Sequence, residues 1–347
     1  MDNSRLLRIG IVGCGNLGKA TLRLLEKKKD IWLSEGLHLS LTCVLDVNGG
    51  VADKNGLDCG ALAAHMESGQ KFEKFPGFDT ALNFGKVLEE RLIDVLVELT
   101  PTNKDTGEPG LTYIRKALEN GVHVATSNKG PIMVAWEELS ELARARKLLL
   151  GIGCTTGGAL PSVIAGREAM AGADVSQTEG ILNGTTNFIL SRMESGLAYE
   201  EALKEAQAAG IAETDPSMDV EGWDTAVKLL ILAKVVMGGS LSLKDISVTG
   251  ITHVTPEEIR QARDAGDRIK LVGRAWREGG QVRASVAPER VAAGHPFHSV
   301  SQKDKCVRYV SDTLGDLFVS GGASGPGPAA ASALRDILNA WRTGLLR

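Results

Sequence analysis

The chain has 347 residues, 43% of them apolar and 24% charged, which suits a globular protein with enough length for two substantial cores. Its formal net charge is −4 and it contains no basic run with interleaved aromatics, so a nucleic-acid surface is not expected. The five cysteines (Cys14, Cys43, Cys59, Cys154, Cys306) are scattered, odd in number and never in CxxC spacing, which argues against a disulfide scaffold and against a zinc site.

The first residues, MDNSRLLRIGIVGCG, lack the long apolar segment and cleavage pattern of a signal peptide, and the most apolar helical stretch carries Lys234. A cytoplasmic enzyme with no membrane partner is the expectation.

Residues 6–12 read as a short apolar strand, followed by Gly13-Cys14-Gly15-Asn16-Leu17-Gly18 and a helical segment to Lys29. This is GxGxxG between strand and helix, where glycines allow a tight turn and close approach of a pyrophosphate, and the helix start offers free N–H groups. The next strand, 38–45, ends in Asp46. A carboxylate there can accept both ribose hydroxyls of NAD and would repel the 2′-phosphate of NADP, although a plain loop aspartate fits the spacing too.

A third strand, 92–99, runs into Thr100-Pro101-Thr102-Asn103, and a fourth, 122–126, into Ser127-Asn128-Lys129-Gly130-Pro131. Open parallel sheets place ligands at such strand ends, so Lys129 is either a solvated loop residue or a group that touches substrate or cofactor. With helices at 113–119 and 136–146 and a strand at 148–152, the alternation is that of a Rossmann-type doubly wound α/β domain.

From Gly153-Cys154-Thr155-Thr156-Gly157-Gly158-Ala159-Leu160-Pro161 onward the periodicity changes. A strand at 177–182 enters Asn183-Gly184-Thr185-Thr186-Asn187, helices follow at 199–209 and 219–238, and strands at 270–276, 281–287, 305–311 and 315–320. That predicts an α+β substrate and dimerisation domain. The expected division is 1–155 for dinucleotide binding, 156–320 for substrate and dimer contacts, and 321–347 for a C-terminal helix returning to the first domain.

In the 219–238 helix Asp224 and Lys228 are four residues apart and share a face, with Glu221 a turn earlier. On a surface such a pair is ordinary. Where the helix turns almost wholly apolar, the lysine is partly desolvated and its charge more useful for chemistry.

The glycine loop, ELTPTN at 98–103, TSNKGP at 126–131, ILNGTTNFIL at 181–190 and AQAAGIAETDPSMDVEGWDTAVKL at 206–229 together resemble the homoserine dehydrogenase family over essentially the whole chain. The resemblance implies interconversion of L-aspartate 4-semialdehyde and L-homoserine with NAD or NADP, in the aspartate-derived route to threonine, methionine and isoleucine. It implies Lys228, Asp224 and Lys129 as catalytic residues; the chemistry of aldehyde reduction then suits two lysines flanking the reacting oxygen, either one as acid/base and the other as orienting cation. It likewise implies Glu213, Asp219, Gly184 and Thr185 at the substrate, and Gly13 to Gly18, Asp46, Thr100, Pro101 and Lys129 at the cofactor. A homodimer is implied as well. Where the family commonly has a glutamate that helps to hold a monovalent cation, this chain has Gly153; the backbone carbonyls of Thr156, Gly158 and Leu160 remain as candidate ligands. Other readings that the residues allow are a dehydrogenase of a related hydroxy amino acid and a non-catalytic dinucleotide sensor.

Overall fold

The computed structural model describes residues 5–346. In chain order its main elements begin with β1 (Arg5–Val12), α1 (Asn16–Lys27), α2 (Lys29–Ser34), β2 (Leu37–Asp46), β3 (Gly49–Ala52), α3 (Cys59–Glu67) and α4 (Phe84–Glu89). Next come β4 (Val95–Glu98), α5 (Gly110–Glu119), β5 (His123–Thr126), α6 (Lys129–Ala145), β6 (Leu150–Gly151), α7 (Cys154–Gly157), α8 (Ser162–Ile164) and β7 (Val175–Ile181). After these follow α9 (Gly184–Glu194), α10 (Tyr199–Ala208), α11 (Ser217–Val220), α12 (Trp223–Met237), β8 (Ile246–Val248) and α13 (Pro256–Asp264). The last are β9 (Arg268–Glu278), β10 (Gln281–Val291), β11 (Cys306–Ser311), β12 (Asp316–Ser320) and α14 (Pro326–Arg342). Two compact units divide them: one holds the described chain up to Thr155 together with the segment from Ser324 onward, the other is Thr156–Ala323.

The first unit is built on a sheet in the order β3-β2-β1-β4-β5-β6, parallel except for β3. Its central strands are apolar without alternation, as a parallel sheet covered on both faces requires: Ile9, Ile11, Val95, Leu96, Val97, Val124 and Ala125 are all buried. Strand order reverses between β1 and β4, which opens a crevice at their carboxyl ends. The α14 helix belongs to this unit and packs on α1, with its Ala330, Leu334 and Ile337 buried. Its end is pinned where the Trp341 indole N–H donates to the Glu35 carbonyl at 2.8 Å and Arg342 pairs with the Glu35 carboxylate.

The second unit carries a sheet in the order β12-β11-β7-β9-β10-β8, antiparallel except where β8 runs parallel to β10. Helix α12 lies on it, and Leu229, Leu230, Ile231, Leu232 and Ala233 are all fully or almost fully buried, so the helix is apolar around its circumference because it has no solvent face there. Contact with β9 is close, since a Cβ on Gly273 would stand 3.1 Å from the Thr225 methyl. Arg274, one residue on, therefore points to the other face of the sheet, as do its cross-strand partner Glu179 and Arg308 opposite Glu179. There the buried Glu179 carboxylate is held by Arg274 at 2.5 Å and Arg308 at 2.6 Å.

The continuous helix expected at 219–238 is instead broken into α11 and α12. Gly222 sits at φ 90°, a left-handed conformation that favours glycine, and the segment after β8 crosses the break, with Ile251 N–H donating to the Val220 carbonyl at 2.8 Å. Helix α12 thus begins at Trp223, which puts Asp224 in its first turn.

Substituting Gly273→Val would push β9 and α12 apart. Overpacking of this kind costs about 1–3 kcal/mol, so the urea midpoint of the variant should fall accordingly; an unchanged midpoint would contradict the close seating of α12 on β9.

Candidate active site

At the edge of the first sheet, Gly13 takes φ 105° and a Cβ there would lie 2.7 Å from the Leu99 backbone, so the turn out of β1 can pass β4 only without a side chain. Gly18 is similarly confined, its would-be Cβ 2.4 Å from the Gly13 carbonyl oxygen. Gly15 is different: a Cβ there meets no described atom within 4 Å, and Gly15 and Asn16 are exposed at the start of α1. This is a cradle with unfilled space at a helix N-terminus, which fits a pyrophosphate. Beside it a cleft of about 230 Å³ is lined by Cys14, Lys19, Asp46, Asn48 and Glu73. Asp46 is exposed at the end of β2, where its carboxylate accepts the Val47 N–H at 2.8 Å. The residues at this edge therefore fit a dinucleotide. The Cys14 thiol is buried and donates to the Leu45 carbonyl at 3.6 Å; burial first, and the Asp46 carboxylate second, push its pKa far up, so it is an inert part of the turn.

Sequence reasoning missed Glu98 as a site residue. It ends β4 fully buried, accepting from the Thr126 hydroxyl at 2.7 Å, from the Thr100 N–H at 2.8 Å and from the Thr100 hydroxyl. One carboxyl group thereby ties together the loops after β4 and β5. Asn128 adds to the tie, donating to the Thr100 hydroxyl at 3.2 Å and the Pro101 carbonyl at 3.3 Å while its own oxygen caps α6 by accepting from Gly130 N–H at 3.0 Å. Lys129, half-buried, is the first residue of the helix so capped.

In the second unit the Lys228 ammonium lies 2.6 Å from Asp224 Oδ2 and donates to the Leu182 carbonyl at 2.9 Å. Both side chains are mostly buried, at 16% and 15% exposure, so the pair is not an ordinary solvated one. Asn183 is a second omission. Its amide donates to Asp219 Oδ1 at 2.6 Å and Asp224 Oδ2 at 2.8 Å, and its oxygen caps α9 by accepting from Thr186 N–H at 2.9 Å. The position just ahead of the helix start in ILNGTTN was the available signal.

Asp219, Asp224 and Lys228 are thus joined through Asn183 and Leu182. Gly184 and Thr185 open α9 beside them: a Cβ on Gly184 would be 2.8 Å from the Lys303 carbonyl oxygen, and the Thr185 hydroxyl donates to the Ile211 carbonyl at 3.1 Å. These contacts hold the loop's shape. Glu213 is exposed between α10 and α11, where its backbone carbonyl accepts from Gln207 at 3.2 Å.

Around the loop considered for a cation, the Thr156 and Ser162 hydroxyls are 2.7 Å apart, and the Gly157 carbonyl accepts from Leu160 N–H at 3.2 Å and from the Lys305 ammonium at 2.8 Å. Among the described residues no group of three His, Cys, Asp or Glu side chains could hold a metal ion. Gly153 supplies no carboxylate, and in the first unit its N–H donates to Asp336 Oδ2 at 2.7 Å. One carbonyl of the loop, that of Gly157, is thus already engaged by an ammonium.

Residues 13–150 match the family described as "Homoserine dehydrogenase, NAD binding domain", and residues 161–338 match "Homoserine dehydrogenase". The chain belongs to the homoserine dehydrogenase family. A homoserine dehydrogenase of Methanocaldococcus jannaschii is 36% identical over 334 residues, covering 96% of this chain and 98% of that protein. An NAD(+)-dependent homoserine dehydrogenase of Pseudomonas canavaninivorans is also 36% identical, over 335 residues, 96% of this chain and 95% of the relative. The crystal structure of a putative homoserine dehydrogenase from Archaeoglobus fulgidus aligns with TM-score 0.85 at 35% identity, covering 96% of this chain and 98% of that one. The activity is accordingly that of an NAD(P)-dependent homoserine dehydrogenase, an oxidoreductase. The fold class read from the sequence, a Rossmann-type sheet unit plus a second unit with a mixed sheet, is that of the family's structures.

Burial raises the pKa of Glu98 above the ordinary glutamate value, while the bonds from Thr100 and Thr126 pull it back. A carboxyl with a raised folded-state pKa contributes stability below the unfolded value and loses it as pH climbs through the folded value. Relative to the parent, Glu98→Gln should therefore gain thermal stability as pH rises above about 4.5. Parallel pH profiles of Tm for the two proteins would remove Glu98 as the titrating group.

Proposed function

We propose that the chain interconverts L-homoserine and L-aspartate 4-semialdehyde with Lys228 as the group that holds the reacting oxygen and carries its proton. The observation that supports this most is the Lys228 ammonium, mostly buried and aimed by both Asp224 and the Leu182 carbonyl. An ammonium fixed in this way stabilises an alkoxide whose charge appears mainly in the transition state, and two of its three N–H bonds are already directed.

When bound, the nicotinamide cofactor supplies or takes the hydride. In aldehyde reduction the oxygen gains one proton as the carbon gains the hydride, and Lys228 Nζ gives that proton; in alcohol oxidation the same nitrogen receives it. Asp224 and Asn183 keep Nζ in place. Asp219, with Glu213 carried on the neighbouring segment, is proposed to bind the substrate's ammonium group, and Gly184 and Thr185 to shape the wall of its pocket. Lys129, held at the capped start of α6, is proposed as the second cation acting on substrate or nicotinamide.

Asp46 at the end of β2 supports NAD as the preferred cofactor, since a carboxylate there repels a 2′-phosphate. The relative from Pseudomonas canavaninivorans, described as NAD(+)-dependent, adds support. We further assign the reaction to the aspartate-derived amino-acid pathway in the cytoplasm. The charged sheet face bearing Glu179, Arg274 and Arg308, away from α12, is proposed as the meeting surface of a homodimer.

The test is L-homoserine-dependent reduction of NAD and of NADP by the purified chain. Lys228→Ala should lower kcat by roughly 10²–10⁴-fold, the usual scale of general acid–base catalysis; parental kcat in that variant would sink the assignment. Cofactor binding with no turnover in the parent would point to a sensor. In the same assay kcat/KM should be higher with NAD, and Asp46→Ser should narrow the gap between the cofactors by roughly tenfold, about 1.4 kcal/mol of discrimination. Preference for NADP in the parent would overturn the role given to Asp46.

A further inference from the structure

The loop that links α7 to α8 is where a carbonyl-lined monovalent cation would be sought, and one of its carbonyls is already engaged by a charge in the chain. Lys305 precedes β11 and is only 5% exposed. Its backbone is locked: the next residue, Cys306, pairs with Ile181 of β7 on one side and Ser320 of β12 on the other, and the Lys305 carbonyl accepts from Gly321 N–H at 2.9 Å. From this fixed root the ammonium reaches the Gly157 carbonyl at 2.8 Å. Gly158, at φ 61°, turns the loop beside it, and a Cβ there would stand 3.7 Å from Lys305 Nζ. A buried ammonium is the same size and charge class as a potassium ion and likewise seeks carbonyl oxygens.

We infer that the Lys305 ammonium is the resident cation of the 156–160 loop, binding its carbonyl oxygen in the manner of a monovalent ion. A sodium or potassium ion placed on the Gly157 carbonyl would face that ammonium at short range and in low dielectric, where like charges repel strongly.

The experiment compares thermal unfolding of the full chain in sodium, potassium and tetramethylammonium chloride at equal ionic strength. An ion that binds only the native chain raises Tm with its concentration, so the parent should unfold at one temperature in all three salts. The Lys305→Met variant removes the charge at similar length and should melt lower in tetramethylammonium, with Tm partly restored by potassium or ammonium chloride. Direct titration with thallium(I), a spectroscopic stand-in for potassium, provides a second reading that needs no variant: the parent should show no saturable binding. Saturable, potassium-displaceable thallium binding by the parent, or a parent Tm that rises in sodium or potassium, would overturn the inference. So would a folded Lys305→Met chain with parental Tm in every salt.

Discussion

The second unit depends on how one ammonium is shared. Lys228 bonds to Asp224 on its own helix and to the Leu182 carbonyl at the end of β7, so the charge bridges α12 and the strand end from which α9 starts. As an exposed helix pair, Asp224 and Lys228 would contribute only about 0.2–0.5 kcal/mol. Mostly buried, the same pair is a different object: removing one partner leaves an uncompensated charge, a loss on the order of 3–5 kcal/mol. Asn183 makes the arrangement tolerable by donating to both Asp219 and Asp224, so two acidic groups stand close together without facing each other bare.

A comparable economy governs the first unit. Its two loops after β4 and β5 have little apolar material of their own to hold them. Glu98 binds both from beneath, and Asn128 stitches them again one layer nearer the edge while capping α6. Lys129, the first residue of α6, gains a fixed backbone from this cap. Desolvation of Glu98 is the cost of placing an ionisable group where it can reach two loops at once, and it is visible as the raised pKa of that carboxyl.

Buried charge elsewhere follows the same rule that each group must meet an opposite charge or a dipole. Glu179 is held by two arginines on a sheet face, and Lys305 by a loop carbonyl. The Gly153 N–H, next to the Gly/Thr loop in sequence, is satisfied by Asp336 from α14, and a Cβ on Gly153 would lie 2.6 Å from that carboxylate, so a longer residue at this position would displace it.

The sequence by itself determined the parallel sheet and its glycine turn, the two kinds of unit, and the positions of Lys129, Asp224 and Lys228. These depend on local regularities: continuous apolar strands, glycines at a strand-to-helix turn, and a spacing of four along one helix, all of which neighbouring residues carry. It also overextended one of them, because Gly222 was read as part of a continuous helix and only the crossing segment at Ile251 makes the break. What only the tertiary structure decided is which polar groups meet. Asn183 and Asp224 are 41 positions apart and Lys305 and Gly157 are 148 apart, separations at which no pattern in the chain announces a contact. A buried polar group takes its partner from whatever the packed fold brings within hydrogen-bond reach, and its choice appears only once the strands are in register.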